Sequence, residues 1–146
     1  MLVIKAEQYN SSSRLISATE RVLTAHLQLA FQENGIDITI EQWRILFYLW
    51  KEDGINQQEL AKRAKKEKST MTRQIDTLEK KGLLIRRCLD EDKRNKQIFL
   101  TKQGQALEEE ALQVANNITQ KSETDIDPSD LALFKTVLQK IIENLE

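Results

Sequence analysis

The sequence is poor in the residues on which several classes of protein depend. Its 146 residues include one cysteine, one histidine, one proline and four glycines, with a net charge of −1. One cysteine cannot form an internal disulfide, and one cysteine with one histidine cannot build a structural zinc site. No apolar run approaches the roughly 20 residues of a membrane helix, and the early charges at Lys5 and Glu7 do not suit a secretory signal. The sequence therefore predicts a single cytosolic domain without metal, cofactor or membrane association.

The distribution of charge is more informative than its sum. Residues 62–96 contain 13 Lys/Arg and 6 Asp/Glu, a balance of +7, whereas the rest of the chain holds 9 and 17, a balance of −8. A basic centre between acidic ends indicates an anionic partner for the centre alone. A solvated surface rich in ion pairs would carry the same charges, so the charge pattern by itself does not choose between the two interpretations.

The scarcity of glycine and proline predicts a mainly helical chain. Gly35, Gly54 and Gly82 each have an apolar residue four positions before and another directly after, which is the pattern of a Schellman cap and predicts three helix ends. Side-chain N-caps are predicted at Thr39, Asn56 and Asp127. The predicted helices are 10–34, 40–53, 56–65, 68–81, 102–123 and 128–145.

Residues 84–101 change to the composition of β-strands. Two short runs rich in β-formers, 84–88 and 97–101, flank a charged centre at 90–96. This arrangement predicts a two-stranded hairpin with a long charged tip. The hairpin follows directly on two short helices joined by a tight turn.

The second of those helices, 68–81, has two chemically distinct faces. Met71, Ile75 and Leu78 form an apolar face. The opposite face has no acid and consists of Ser69, Thr70, Arg73, Gln74 and Thr77. Arginine pairs with guanine and glutamine with adenine in the major groove, and Lys66 and Lys68 lie at the positive end of the helix. The pattern predicts a helix-turn-helix that binds DNA.

The order of these segments resembles the MarR-type winged helix-turn-helix regulators. The resemblance lies in residues 60–64, 68–76 and 78–84, in Asp92-Lys93-Arg94, and in the run from Leu100 to Gly104 that reads Leu-Thr-x-x-Gly. It covers nearly the whole chain. The chain departs from the family in the inter-helix turn, where Lys65-Lys66-Glu67 stands in place of a glycine, an apolar residue and a serine cap, and forms a more basic variant.

The resemblance implies a mainly α fold with a small β-hairpin and one MarR-like chain, 1–146. Segments 1–35 and 102–146 would form a dimerisation base, and 36–101 the winged DNA-binding lobe. The implied function is a homodimeric, sequence-specific transcriptional regulator, a repressor on a near-palindromic operator. The second helix would enter the major groove, and the wing arginine, Arg94, held by Asp92, the minor groove. The predicted DNA-binding residues are Lys66, Lys68, Ser69, Thr70, Thr72, Arg73, Gln74, Asp92, Arg94 and Lys96.

The terminal helices support a dimer independently of the resemblance. The last helix has apolar residues at alternating spacings of three and four: Leu131, Phe134, Leu138, Ile141 and Leu145. The first helix has a similar stripe of Ile16, Leu23, Leu27 and Ala30. Such heptad-like stripes are typical of helices that pair between chains, although burial in the chain's own core would produce the same spacing.

Members of the family respond to small phenolic or lipophilic molecules, to oxidants or to metals. We therefore expect release from DNA by a small aromatic or lipophilic effector, with His26, Trp43 and Phe47 as candidate effector-binding residues. The simpler interpretation of Trp43, Phe47 and Trp50 is a core face, and that of His26 a residue at the edge of an apolar stripe.

Other functions are weaker hypotheses. The sequence has no Gly-rich phosphate loop, no His-Glu-x-x-His and no nucleophile with a usable histidine, so we predict that it is not an enzyme. Cys88, with two arginines beside it, leaves open a redox-responsive regulator, but the family's peroxide sensors carry their cysteine in the first helix, where this chain has none. A winged helix that binds protein instead of DNA is the other alternative.

Overall fold

Six α-helices and a small antiparallel sheet make up most of the described chain. The computed structural model describes residues 1, 3–88, 91 and 94–146. After a 3₁₀ turn at Ala6–Gln8, the helices are α1 (Ser12–Glu33), α2 (Ile40–Lys51), α3 (Gln57–Arg63), α4 (Lys68–Lys80), α5 (Lys102–Ser122) and α6 (Pro128–Leu145). The strands are β1 (Ile55–Asn56), β2 (Leu84–Cys88) and β3 (Lys96–Leu100). The predicted fold class, mainly α with a small β-hairpin, is confirmed.

Three helices, α2, α3 and α6, begin at the side-chain caps predicted for them at Thr39, Asn56 and Asp127. The Gln42 backbone N–H donates to the Thr39 hydroxyl at 3.2 Å, and the Thr39 N–H donates to the Gln42 side chain at 3.1 Å, which completes a capping box at the start of α2. The Asp127 carboxylate accepts from the backbone N–H of Ser129 at 2.8 Å, with Pro128 at the first position of α6. Hydrogen bonds from the Ser129 hydroxyl and N–H lower the pKa of Asp127.

Two of the three predicted glycine caps are confirmed, and the third is wrong. Gly35 and Gly82 have positive φ, and each is followed by a backbone N–H that donates back across the helix end, from Ile36 to Phe31 at 2.9 Å and from Leu83 to Leu78 at 3.1 Å. Helix α2 instead ends at Lys51, before Gly54. The N–H of Gly54 donates to Ile98 of β3 at 2.9 Å, so this glycine serves the sheet and not a helix cap.

The sheet has the order β1-β3-β2, with both pairings antiparallel. Strands β2 and β3 form the predicted hairpin, with Leu84 opposite Leu100 and Arg86 opposite Ile98. The two-residue strand β1 was not predicted, because a segment so short shows no alternation. The sheet face that carries Leu84, Ile98 and Leu100 is buried. This face is where the hairpin meets the helical core.

The hydrophobic core lies in the middle of the chain. Its fully buried large side chains are Phe31, Leu46, Leu49, Leu60, Met71, Ile75, Leu78, Leu84 and Ile98. By contrast, none of the residues of α6, every one of which the structure describes, is buried. The terminal helices α1 and α6 therefore expose apolar side chains to solvent, whereas most apolar side chains of the short central helices are buried.

Hydrogen bonds at the start of α5 join this helix to α2 and to the turn that follows α4. The Thr101 hydroxyl donates to the Gly82 carbonyl at 2.6 Å and accepts from the Gly104 N–H at 3.0 Å, and the Thr101 N–H donates to the Leu83 carbonyl at 3.1 Å. The Trp50 indole donates to the Gly104 carbonyl at 2.9 Å. The Leu-Thr-x-x-Gly run thus ties α5 to α2 and to the turn that follows α4.

Candidate nucleic-acid interface

Helices α3 and α4 are joined by a turn that contains a left-handed lysine. Lys65 has φ 52°, its N–H donates to the Lys62 carbonyl at 3.1 Å, and the Lys66 N–H donates to the Ala61 carbonyl at 2.9 Å. These are the two hydrogen bonds of a Schellman motif, formed here without glycine. Helix α4 begins directly afterwards at Lys68, the residue at which its start was predicted.

The two predicted faces of α4 are present in the structure. Met71, Ile75 and Leu78 are completely buried. Ser69 and Arg73 are exposed, while Thr70 and Gln74 are half-buried. Arg73 forms no ion pair with any other residue that the structure describes. The outer face of the first turns of α4 therefore presents hydroxyl groups and a guanidinium group that has no ion pair within the described part of the chain.

Thr72 lies between the two helices of the motif. Its hydroxyl donates to the Lys68 carbonyl at 2.9 Å and accepts from the Gln57 side-chain amide at 3.0 Å. Gln57 is at the start of α3, so this hydrogen bond joins the two helices. The side chain of Thr72 is half-buried and its hydroxyl already has two partners, which suits a residue that orients α4.

Three of the predicted DNA-binding cations lie around one cavity. Lys68, Arg94 and Lys96 line a cavity of about 300 Å³ between α3, α4 and the hairpin, together with Gln57 and Thr72. All three cations are exposed. Asp92, predicted to hold Arg94, lies outside the described residues. The structure thus places the cations of the wing beside the first turn of α4.

Lys66 faces a different part of the lobe. Its ammonium group lies 2.9 Å from a carboxylate oxygen of Glu41 on α2. Both residues line a second cavity, of about 270 Å³, whose walls also include Trp43, Arg44, Ile45, Phe47, Tyr48 and Ala64. The predicted effector residues Trp43 and Phe47 therefore line a common cavity. His26 is exposed on α1 and is not part of its wall.

Phe31 of α1 and two aromatic residues of α2, Phe47 and Trp50, form a cluster around Trp43. Its ring centroid is 5.5 Å from that of Phe31, 5.8 Å from that of Phe47 and 5.6 Å from that of Trp50. Phe31 is fully buried, whereas Phe47 is 39% exposed. The face predicted as core is thus only partly core, because its outer edge opens into the cavity.

The structure also contains an ion-pair cluster that was not predicted. Arg86, in the middle of β2, pairs with Asp76 through its guanidinium group, and its Nε lies 3.6 Å from Glu79. The Arg86 backbone N–H also donates to Glu79 at 3.2 Å. Asp76 and Glu79 lie three residues apart on α4, but their pairing with Arg86 depends on the register of the hairpin, which the sequence does not show.

The fold and the site together define a winged helix-turn-helix protein. A sequence model described as the MarR family matches residues 38–96. The chain is 26% identical over 131 residues to the organic hydroperoxide resistance transcriptional regulator of Bacillus subtilis, covering 90% of this chain and 86% of that protein. The chain belongs to the MarR family of transcriptional regulators, a family whose members are generally not enzymes.

Solved structures extend the comparison to the whole fold. The transcriptional regulator PA3341 is 32% identical with a TM-score of 0.78, and the match covers 92% of this chain and 98% of that one. A MarR family regulator from Listeria monocytogenes, complexed with a 26mer DNA, is 25% identical with a TM-score of 0.82, over 94% of this chain and 90% of that one. Within the described residues, no helix is both long enough and apolar enough to cross a membrane.

Proposed function

We propose that this chain is a homodimeric repressor that binds a near-palindromic operator in the cytoplasm. The observation that carries the proposal is the juxtaposition of the outer face of α4 with the cations of the wing. Serine and threonine hydroxyls and Arg73 can reach base edges, and Lys68, Arg94 and Lys96 can neutralise phosphates. The Listeria relative was solved in complex with a 26mer DNA, which supports DNA binding by a chain of this fold.

Arg73 is the proposed base-reading residue. It lies on the exposed face of α4 and has no ion pair in the described part of the chain. Its guanidinium N–H groups are therefore available to donate hydrogen bonds to guanine. Ser69, Thr70 and Gln74 would contact neighbouring base edges or phosphates. Thr72 would act differently, because its hydroxyl is already bonded to Gln57 and to the Lys68 carbonyl.

Arg94 and Lys96 are the proposed contacts of the wing. A cation in a narrow minor groove is attracted by the negative potential there more than by a base-specific set of hydrogen bonds. Asp92 is proposed to orient Arg94. The wing would therefore raise the affinity for many DNA sequences, whereas α4 would discriminate between those sequences.

Substitution of the two arginines should have different consequences. Arg73→Ala should weaken operator binding by about 1–3 kcal/mol and relax the preference at one base pair of each half-site. Arg94→Ala should weaken binding across sequences and lower the slope of log affinity against log salt by about one per site. Affinities for an operator and its single-base variants, measured at two salt concentrations, separate the two effects.

Lys140→Ala is the control, since it removes one positive charge from an exposed position on α6 that does not line the cavity between α3, α4 and the hairpin. It should alter neither base preference nor salt slope. If Arg94→Ala behaves like this control, the hairpin does not contact DNA. If the wild-type protein shows no salt-dependent binding to any duplex, a winged helix that binds protein becomes the better hypothesis.

The exposed apolar residues of the terminal helices are the proposed dimer interface. On α6, Leu133, Phe134, Val137, Ile142 and Leu145 are between 47% and 85% exposed, whereas Leu131, Leu138 and Ile141 of the predicted stripe are half-buried. On α1, Leu15, Ile16, Val22, Leu23 and Leu29 are between 38% and 71% exposed, whereas Leu27 and Ala30 of the predicted stripe pack against the chain's own core. Apolar stripes on this scale are expected to be covered by a partner, and a second copy provides the two-fold symmetry that a palindrome requires. Segments 1–35 and 102–146 would then form the base and 36–101 the DNA-binding lobe.

The cavity lined by Trp43 and Phe47 is the proposed site for a small aromatic or lipophilic effector. Its wall combines three aromatic rings with the cation of Arg44, and Lys66 connects it directly to the turn before α4. An occupant could therefore alter the position of α4 by displacing Lys66 from Glu41. His26 is left out of this site because it does not line the cavity.

Effector binding can be followed through the intrinsic fluorescence of Trp43 and Trp50, the two tryptophans of the sequence. Salicylate-like compounds should quench it at concentrations that also weaken operator binding, and Phe47→Ala should reduce both effects together. A control is Ile126→Ala, which removes a comparably exposed apolar side chain from the loop between α5 and α6 and does not line the cavity. If operator binding is instead lost only with peroxide and is protected by Cys88→Ser, the redox hypothesis replaces this one.

A further inference from the structure

The recognition helix α4 and the wing are joined by one arginine. Arg86 lies on the sheet face that also carries the buried Leu84 and Ile98, so its side chain points toward α4 and is only 17% exposed. It pairs there with both acidic residues of α4, Asp76 and Glu79. The backbone N–H of Arg86 donates to Glu79 as well, at 3.2 Å.

We propose that Arg86 is a positioning residue for DNA binding, which clamps the wing to α4 so that the wing cations and the recognition helix reach the duplex together. This inference rests on the proposed function. A two-stranded hairpin is marginally stable alone, so its direction depends on what it packs against. Arg86 supplies charge-assisted contacts to α4 at the middle of β2, between the buried end of the strand and the exposed tip.

The same pairs also affect the charge of the recognition helix. Without Arg86, the carboxylates of Asp76 and Glu79 would be left without this partner on the helix that approaches DNA phosphates. With Arg86 in place, the charges of both acids are compensated within the lobe, although their side chains remain 48% and 42% exposed. The clamp therefore positions the wing and also offsets part of the negative charge of α4.

Arg87 provides a matched control on the same strand. It is exposed, points to the opposite face of the sheet and lies over the Phe99 ring at 5.7 Å from its centroid. Arg86→Gln and Arg87→Gln remove the same charge from adjacent positions. A difference between the two variants therefore reports on the pairs with α4 and not on the general attraction of DNA.

The first measurement needs no DNA. Cys88 is the only cysteine of the sequence and is exposed on β2, so a nitroxide can be attached there in the otherwise unchanged chain. Arg86→Gln should remove the slow component of the nitroxide spectrum, because β2 is no longer held to α4. Arg87→Gln should leave that component in place. Circular dichroism confirms that both variants are folded.

The second measurement is a double-mutant cycle on operator DNA. Arg86→Gln should weaken binding by about tenfold, and Arg94→Ala should then add less than about twofold, because a wing without its anchor no longer delivers Arg94. In the Arg87→Gln background, Arg94→Ala should retain its full effect. Full additivity with Arg86→Gln, together with a nitroxide spectrum like that of Arg87→Gln, would overturn the proposal.

Misfolding of the Arg86→Gln variant and failure of the wild-type protein to bind DNA can each be told apart from failure of this proposal. If Arg86→Gln does not fold, the clamp can be removed from the helix side with Asp76→Asn and Glu79→Gln together, and the same loss of the slow component is expected. If the wild-type protein binds no duplex at all, the proposed function fails. The nitroxide spectra would still decide whether Arg86 holds the wing.

Discussion

Gly104→Ala is expected to lower the free energy of unfolding by more than about 3 kcal/mol. A Cβ added at Gly104 would lie 2.0 Å from the carbonyl oxygen of Leu83. That atom belongs to the backbone and is fixed by the hydrogen bond from Thr101 at 3.1 Å, so it cannot rotate away as a side chain would. Relief would require moving the whole of α5 from the turn after α4, and with it the bond from Trp50.

Urea denaturation followed by circular dichroism measures this loss. Gly35→Ala is the control, because a Cβ there meets nothing within 4 Å and only the left-handed backbone, with φ 69°, opposes it. We expect about 1 kcal/mol at Gly35. Gly104 has ordinary helical geometry, where alanine in open space would stabilise the helix. A neutral or stabilising Gly104→Ala would show that α5 does not approach Leu83 this closely.

Phe134→Asp is expected to raise the dimer dissociation constant by more than about 1,000-fold and to abolish tight operator binding. Phe134 is 52% exposed in the single chain, so the substitution costs the fold of one chain little. In a two-fold interface the charge would be buried without a partner, and symmetry would introduce it twice. Each separated chain could then contact only one half-site.

Sedimentation and operator titration on the same samples test this expectation. Gln139→Asp introduces the same charge on the polar side of α6 and should leave the dimer intact. Should Phe134→Asp remain dimeric at micromolar concentration, α6 would not form the interface. A folded monomer that still protected both half-sites would contradict the proposed link between dimerisation and operator binding.

The regular elements were predictable from local sequence because their determinants are local. The caps at Thr39 and Asp127 and the end at Gly82 lie within a few residues of the groups they satisfy, and the structure has them as predicted. Gly54 was misassigned because its partner, Ile98, is distant in sequence. Strand β1 was missed for the same reason, since it exists only through its pairing with β3.

The sequence predicted which face of α4 is exposed, but it did not predict the contacts that hold α4 to its neighbours. The period of α4 separates its buried and exposed sides, which is why Arg73 could be placed on the outer face. The engagement of Thr72 by Gln57 depends on how α3 packs, and the pairing of Arg86 with Asp76 depends on the register of the hairpin. No local pattern encodes either contact, because each joins separate elements.

The position of β2 in the sheet bears on how the protein stays dispersed when no DNA is present. The order β1-β3-β2 leaves β2 as an outer strand in the described part of the chain, and outer strands are where sheets of different molecules join into aggregates. Arg87 is exposed along that edge, so two wings approaching side by side would bring like charges together. Repulsion between the Arg87 side chains of two molecules therefore opposes edge-to-edge association of their wings.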